Sequence, residues 1–250
     1  MALHAGKSVL CEKPFAMSAT EAREVAALAH TKQLFVMEAM WTRFLPAIQA
    51  MRQWISDGLI GTIRHIEASF GFSVLFNPFG RLFNPALGGG ALMDVGVYPI
   101  SLTHWVLGAP DHVGSNGRAA LTGVDESCSA ILSYASGATA IVTASLRNKL
   151  ANDATILGTR GHILVHAPWW RATKVTLARN GSQPETHTFP MVGNGYNYEA
   201  AEVQRCLHAG LSESPTMPLA ESLNVMHTLD RARDKMHLSA HPNAQWRVAE

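Results

Sequence analysis

Three stretches of the sequence carry side chains fit for chemistry. The first is "GKSVLCEKPFA", Gly6 to Ala16, in which a short apolar run stops at Glu12, Lys13 and Pro14. A lysine at the carboxyl end of a buried parallel strand stands where open α/β sheets place their ligands. Pro14 removes one backbone donor and restricts the chain around Lys13. The Lys13–Pro14 bond belongs to the class that can be cis. A solvated lysine beside a turn is the competing reading. The second stretch is "GGGALMDVGVYPI", Gly88 to Ile100. Asp94 and Tyr98 are four residues apart and share a face if this is the first turn of a helix. A phenol titrates near about 10, and a neighbouring ammonium would lower that value and make Tyr98 a proton donor or acceptor. The alternative is that Asp94 caps the helix and Tyr98 only packs. The third is "EAMWTRFLP", Glu38 to Pro46. Trp41 and Arg43 point the same way if the chain stays extended there. An aromatic plane beside a guanidinium suits a flat, anionic or polyhydroxyl ligand; interdomain packing is the alternative.

These residues need elements to position them. Ser8 to Cys11 is apolar without alternation, as in a parallel strand covered on both faces. Ser18 opens "SATEAREVAALAH", where Ser18 and Glu21 fit a capping box and Ala22, Val25, Ala26 and Ala29 form one face. "LFVM", Leu34 to Met37, is a second buried strand, which completes a strand–helix–strand unit. No G-x-G-x-x-G and no P-loop occurs in the 250 residues. The expectation is a chain that opens part-way through a doubly wound domain, the first part of which is missing from the sequence.

Beyond Pro46 the pattern predicts an amphipathic helix ending near Gly58 and an alternating strand over 62–72. Residues 73–90, rich in Asn, Pro and Gly, read as a loop long enough to be functional. A helix follows from Val95 to Leu107. Strands are expected at 110–118, 125–135, 138–147, 152–158, 161–166, 173–179 and 185–190, with a hairpin at Ser136-Gly137. Helices over 195–209 and 219–237 close the chain. "LANDATILGTRGHI" is assigned to fold construction. The fold class is therefore α/β in residues 1–40, then α+β in 41–250, with a mostly antiparallel open β-sheet flanked by helices. The 219–237 helix is free to pack back on the first part.

Composition excludes several functions. With 20 Lys+Arg against 19 Asp+Glu, and only 16% charged residues, nothing draws the chain to nucleic acid or an anionic membrane. No apolar run approaches the roughly 20 residues of a membrane span. "MALHAGKSVLC" lacks the parts of a signal peptide. Three scattered cysteines, Cys11, Cys128 and Cys206, fit buried thiols in a reducing, cytoplasmic compartment rather than a disulfide framework. His162 and His166 are four apart, but "HILVH" reads as a strand, where such positions lie about 13 Å from each other, so no metal is expected. The orders of residues that serve hydrolases are absent.

Taken together, "AGKSVLCEKP", "GGGALMDVGVYPI", "GTRGHI" and "ESPTMPLAESL" resemble, in this order, the Gfo/Idh/MocA oxidoreductase family. "EAMWTRF", and Tyr98 where many relatives carry His, point to its dihydrodiol dehydrogenase-like branch. The resemblance covers essentially the whole chain. It implies a remnant of a Rossmann domain in 1–40 and a substrate-binding and dimerisation domain in 41–250. It further implies a dehydrogenase acting on CH–OH or CH–CH donors with NADP or NAD, and a small polyol or sugar-like substrate. Lys13 would orient cofactor and substrate, Tyr98 would pass the hydroxyl proton, and Asp94 would tune the pair. Glu12, Pro14, Trp41 and Arg43 would join Lys13 on the cofactor side, and Phe70 and Trp170 would wall the substrate. A homodimer through the second domain's sheet is expected. Two other readings stay open: a non-catalytic dimerisation module of this fold, and a glycosidase that uses held NAD⁺ transiently.

Overall fold

Ser18 shows how closely the first unit follows its sequence. Its hydroxyl accepts the Glu21 N–H at 3.2 Å, and the Glu21 carboxylate accepts the Met17 N–H at 3.1 Å. Two otherwise unpaired donors are thus satisfied at the start of helix α1 (Ala19–Lys32). The computed structural model describes residues 1–239. In it α1 joins strand β1 (Val9–Glu12) to β2 (Val36–Ala39), which lie parallel from Val9↔Val36 to Glu12↔Ala39. β2 is buried along its length, and its Val36 N–H donates to the Ser212 carbonyl at 3.3 Å.

The remaining strands among the described residues form a second sheet. They are β3 (Ile63–Gly71), β4 (His112–Ala119), β5 (Asp125–Ser133), β6 (Thr139–Ser145), β7 (Ala154–Gly158), β8 (Gly161–Val165), β9 (Lys174–Arg179), β10 (Glu185–Thr188) and β11 (His237–Ser239). Their order is β10-β9-β8-β7-β3-β6-β5-β4-β11. The β3–β6 and β4–β11 pairs are parallel and the others antiparallel. This is the expected fold class, a strand–helix–strand unit of doubly wound type followed by a mostly antiparallel sheet. Alternation sorts the two faces of that sheet. Ala130, Leu132, Ala140, Val142 and Ile156 are buried under helices, whereas Ile131, Ile141 and Leu157 face outward and are at least one-third exposed.

Helices α2 (Pro46–Ser56), α3 (Val97–Leu107), α4 (Tyr196–His208) and α5 (Leu219–Asp234) surround the core. α5 touches both parts of the chain. Its Asp230 carboxylate accepts the Ala19 N–H at 2.8 Å, its Thr228 hydroxyl meets His104 Nε2 of α3 at 2.9 Å, and its Ala232 carbonyl accepts from Ser115 of β4 at 2.5 Å. Two local expectations are corrected. The last helix stops at Asp234, and His237–Ser239 instead pairs with the open edge of β4; three residues are too few for a period to show. Trp41–Phe44 is a 3₁₀ turn and not extended chain.

Candidate active site

β1 delivers Glu12 and then Lys13, which enters a cis peptide bond to Pro14. Glu12 is exposed and Pro14 half-buried beside it. The Lys13 side chain turns toward the second sheet. Nζ donates to the Asp94 carbonyl at 2.8 Å, lies 3.6 Å from Asp94 Oδ1, and sits 4.8 Å from the centre of the Tyr98 ring. Asp94 belongs to a π-helical turn, Leu92–Gly96, that runs into α3. Such turns are rare and cluster at functional sites. The Asp94 carboxylate is buried, and Arg81 Nη1 reaches its Oδ1 at 2.8 Å. Burial pulls the Lys13 pKa down; the Asp94 carboxylate opposes that and the Arg81 guanidinium adds to it.

Tyr98 closes the site. Trp41 Nε1 donates to its hydroxyl at 3.1 Å, and the Trp41 ring lies 4.7 Å from that of Tyr196. On the other side the Phe70 ring is 5.2 Å from Tyr98 and stacks on Trp170 at 3.4 Å with 8° between planes. Trp170 is held by its carbonyl, which accepts from the Thr42 hydroxyl at 2.9 Å. Lys13, Asp94, Tyr98, Trp41, Phe70 and Trp170 therefore converge. The electrostatic expectation for Tyr98 is corrected. Its pKa is raised, chiefly because burial penalises the phenolate; the Trp41 N–H opposes this, and Asp94 and Glu12 reinforce it. The ammonium lies over the ring, 4.8 Å from its centre, and burial outweighs it. At neutral pH Tyr98 is an O–H donor.

Arg43 departs from the expected place. The 3₁₀ turn swings it inward, where it is 2% exposed. Its guanidinium donates to the Ser101 hydroxyl and carbonyl at 2.8 and 2.9 Å and pairs with Glu221 at 2.7 Å. It clamps α3 and α5 instead of facing the Tyr98 wall. Nearby, Glu38 of β2 is fully buried, and neither carboxyl oxygen has a well-formed hydrogen bond among the described residues. Desolvation lifts its pKa from 4.5 to about 7, against the pull of Ser222, Arg43, the Phe15 amide and Lys13. A raised folded-state value means stability that is full below 4.5 and is lost as pH rises through 7. Glu38→Gln, which cannot ionise, is expected to match wild type near pH 4 and to exceed it by about 3 kcal/mol at pH 9. Urea unfolding across that range checks the sign; a gain on the acid side would contradict it.

Three contributors escaped the sequence reading. Arg81, a lone cation in the 73–90 loop, has no pattern to mark it. Tyr196 begins the expected 195–209 helix, and nothing beside it in sequence marks it. Asn152 lies in the stretch assigned to fold construction, yet it sets the aromatic wall. With φ 61°, its carboxamide accepts the Gly71 N–H at 2.8 Å and donates to the Gly71 carbonyl at 3.0 Å, next to Phe70. Its own carbonyl accepts the Trp169 N–H at 3.0 Å, next to Trp170. An Asn-Asp pair between two strand patterns is the one available signal.

The carboxyl ends of a parallel pair, a half-buried ammonium and a buried phenol form the crevice edge at which α/β enzymes hold nucleotide cofactors. Two family profiles match the sequence. Residues 1–40 match an oxidoreductase family with an NAD-binding Rossmann fold, and residues 48–164 match the Gfo/Idh/MocA C-terminal domain. The chain belongs to the Gfo/Idh/MocA oxidoreductase family. Trans-1,2-dihydrobenzene-1,2-diol dehydrogenase of Mus musculus is 38% identical over 243 residues, which span 93% of this chain and 71% of that one. The Homo sapiens protein of the same name is 37% identical over 242 residues, with the same shares. A crystal structure of a 3-ketoreductase from Actinomadura kijaniata, in complex with NADP and TDP-benzene, superposes with a TM-score of 0.83 at 25% identity, covering 96% of this chain and 74% of the other. Membership makes this an NAD(P)-dependent oxidoreductase, as the order of the Glu12-Lys13-Pro14 and Gly88–Ile100 stretches led one to expect. Lys13 with the Trp41 and Tyr98 rings fits the nicotinamide end of such a cofactor: the ammonium supplies further donors beside a flat, mostly apolar surface.

Proposed function

We propose that the protein moves hydride between a nicotinamide cofactor and a secondary alcohol, or the corresponding carbonyl, of a trans-dihydrodiol, sugar or cyclitol. The observation that carries this is the convergence of Lys13, Asp94 and Tyr98, with the ammonium 2.8 Å from the Asp94 carbonyl and 4.8 Å from the Tyr98 ring. The bound nicotinamide supplies the hydride chemistry. Tyr98, kept protonated by burial, donates to the substrate oxygen and gives up its proton in reduction, or accepts the hydroxyl proton in oxidation. Lys13 compensates the charge that forms on the phenol. Asp94, tied to Arg81, fixes the ammonium. Phe70 and Trp170 offer a flat wall to a ring. Residues 1–40, with Glu12 and Pro14, serve the cofactor side, and 41–250 serve the substrate. The outward apolar side chains Ile131, Ile141 and Leu157 support pairing of two copies through this sheet. Three free cysteines suit a cytoplasmic setting.

Titration with NADH and NADPH, read by tryptophan fluorescence quenching, tests the proposal. It is run on the 250-residue chain and on a version extended by a G-x-G-x-x-G strand–turn–helix segment, alongside turnover of dihydrodiols and sugars. Quenching in at least one form, with one NAD(P) consumed per substrate, is the expected result. Such net consumption also excludes a glycosidase that uses NAD⁺ transiently. A folded dimer that binds no nucleotide in either form would replace the proposal with an interaction module.

A further inference from the structure

We infer that Asp125 is a positioning residue for this reaction: from the far sheet, its carboxylate pins the glycine turn that launches the Asp94–Tyr98 segment. The inference rests on the dehydrogenase reading above.

Asp125 is the first residue of β5. Its Oδ2 accepts the Leu92 N–H at 2.6 Å, across 33 residues of sequence. Leu92 opens the π turn, and no side chain next to it caps that end. The first N–H groups of a helix need acceptors, and a carboxylate makes a short, strong bond to them. The usual local cap is thus replaced by a residue on another element. Asp94, the one acid of that turn, is left to Lys13 and Arg81.

Gly90 shows the arrangement is tight. Its φ is +123°, and a Cβ there would stand 2.3 Å from Asp125 Oδ1. No side chain fits between turn and carboxylate. Glycine is required at this position both for its backbone angle and for that approach. Two arms hang from the same residue. The Gly90 N–H donates to the Leu82 carbonyl at 3.0 Å, beside Arg81, and the Gly90 carbonyl accepts the Asp94 N–H at 3.0 Å. Arg81 and Asp94 then meet at 2.8 Å. Fixing Gly90 and Leu92 against β5 therefore fixes the carboxylate and carbonyl that hold Lys13. Misplacing reacting groups by about 1 Å costs on the order of 10²-fold in rate.

Asp125→Ala, Asp125→Asn and Gly90→Ala are compared by steady-state kinetics and by hydrogen exchange at the Leu92 amide. Asparagine keeps an acceptor for Leu92; alanine does not. Asp125→Ala is expected to lower kcat by about 10–100-fold with cofactor KM within about 2-fold of wild type. Leu92 exchange should rise at least about tenfold in the same variant, and Asp125→Asn should recover both. Gly90→Ala should reproduce the kcat loss, and it serves alone if Asp125→Ala does not fold. Wild-type kcat and wild-type Leu92 exchange in Asp125→Ala would overturn the role. So would an asparagine variant as impaired as alanine. A wild-type protein without turnover in either form, the 250-residue chain or the extended one, would instead sink the dehydrogenase reading, and this role with it, even if Leu92 exchange responds.

Discussion

Lys13→Met is expected to lower turnover by about 10²–10³-fold, the range lost when one preorganised group aimed at developing charge is removed. Methionine keeps the apolar stem and deletes the charge. The side chain is 15% exposed, so water cannot stand in for the ammonium. Asp94 then keeps only Arg81, whose own side chain is 59% exposed. Tyr98→Phe is expected to cost a similar factor in turnover, because it removes the proposed proton donor. It also strands the Trp41 Nε1–H, at about 1–3 kcal/mol of stability. On the proposed mechanism the two residues act as one unit, so the double variant should be little worse than the poorer single. Steady-state kcat for the three variants decides this. Losses that multiply would show that Lys13 and Tyr98 work independently. Burial also lowers the Lys13 pKa. A basic limb in the rate profile is therefore expected below the ordinary lysine value of about 10.4, and it should vanish in Lys13→Met.

The parts of this site that depend on local chemistry could be read in advance. Ser18 and Glu21 announce their capping box, the Glu12-Lys13-Pro14 stop marks the end of a parallel strand, and the spacing of Asp94 and Tyr98 puts them on one turn. What depended on distant partners could not. Glycines before Asp94 permit a close backbone approach or merely a flexible loop, and only the fold brings Asp125 against Gly90. Arg81 and Asn152 act through contacts 13 and 81 residues away, with Asp94 and Gly71, and neither has a pattern of its own. The sign of the Tyr98 shift failed for a related reason. Sequence placed an ammonium nearby, whereas burial outweighs it and the charge sits over the ring. The expected extended chain at Trp41 and Arg43 failed because the four residues Trp41–Phe44 form a 3₁₀ turn, in which Arg43 is buried.

Arg43→Met is expected to destabilise the fold by about 3–5 kcal/mol, a large fraction of the 5–15 kcal/mol that holds an ordinary domain together. Arg43 is buried and serves Ser101 of α3, Glu221 of α5 and the Thr216 carbonyl at once. Removing it leaves the Ser101 and Thr216 carbonyls short of a donor and Glu221 without its cation. It also takes away one charge that holds the Glu38 pKa down. Lysine should not rescue the site, since a single ammonium cannot span the Ser101 and Glu221 acceptors as a planar fork does. Arg43→Met with Glu221→Met should recover part of the loss, because no unpaired carboxylate remains. Urea midpoints with an unchanged slope measure all three. Cofactor affinity, taken where the variant is still folded, separates the two possible roles of Arg43. A Kd within about 2-fold of wild type is expected from a clamp behind the site. A change beyond about tenfold, roughly 1.4 kcal/mol, would return Arg43 to the cofactor side and show that the inward clamp is not its main task.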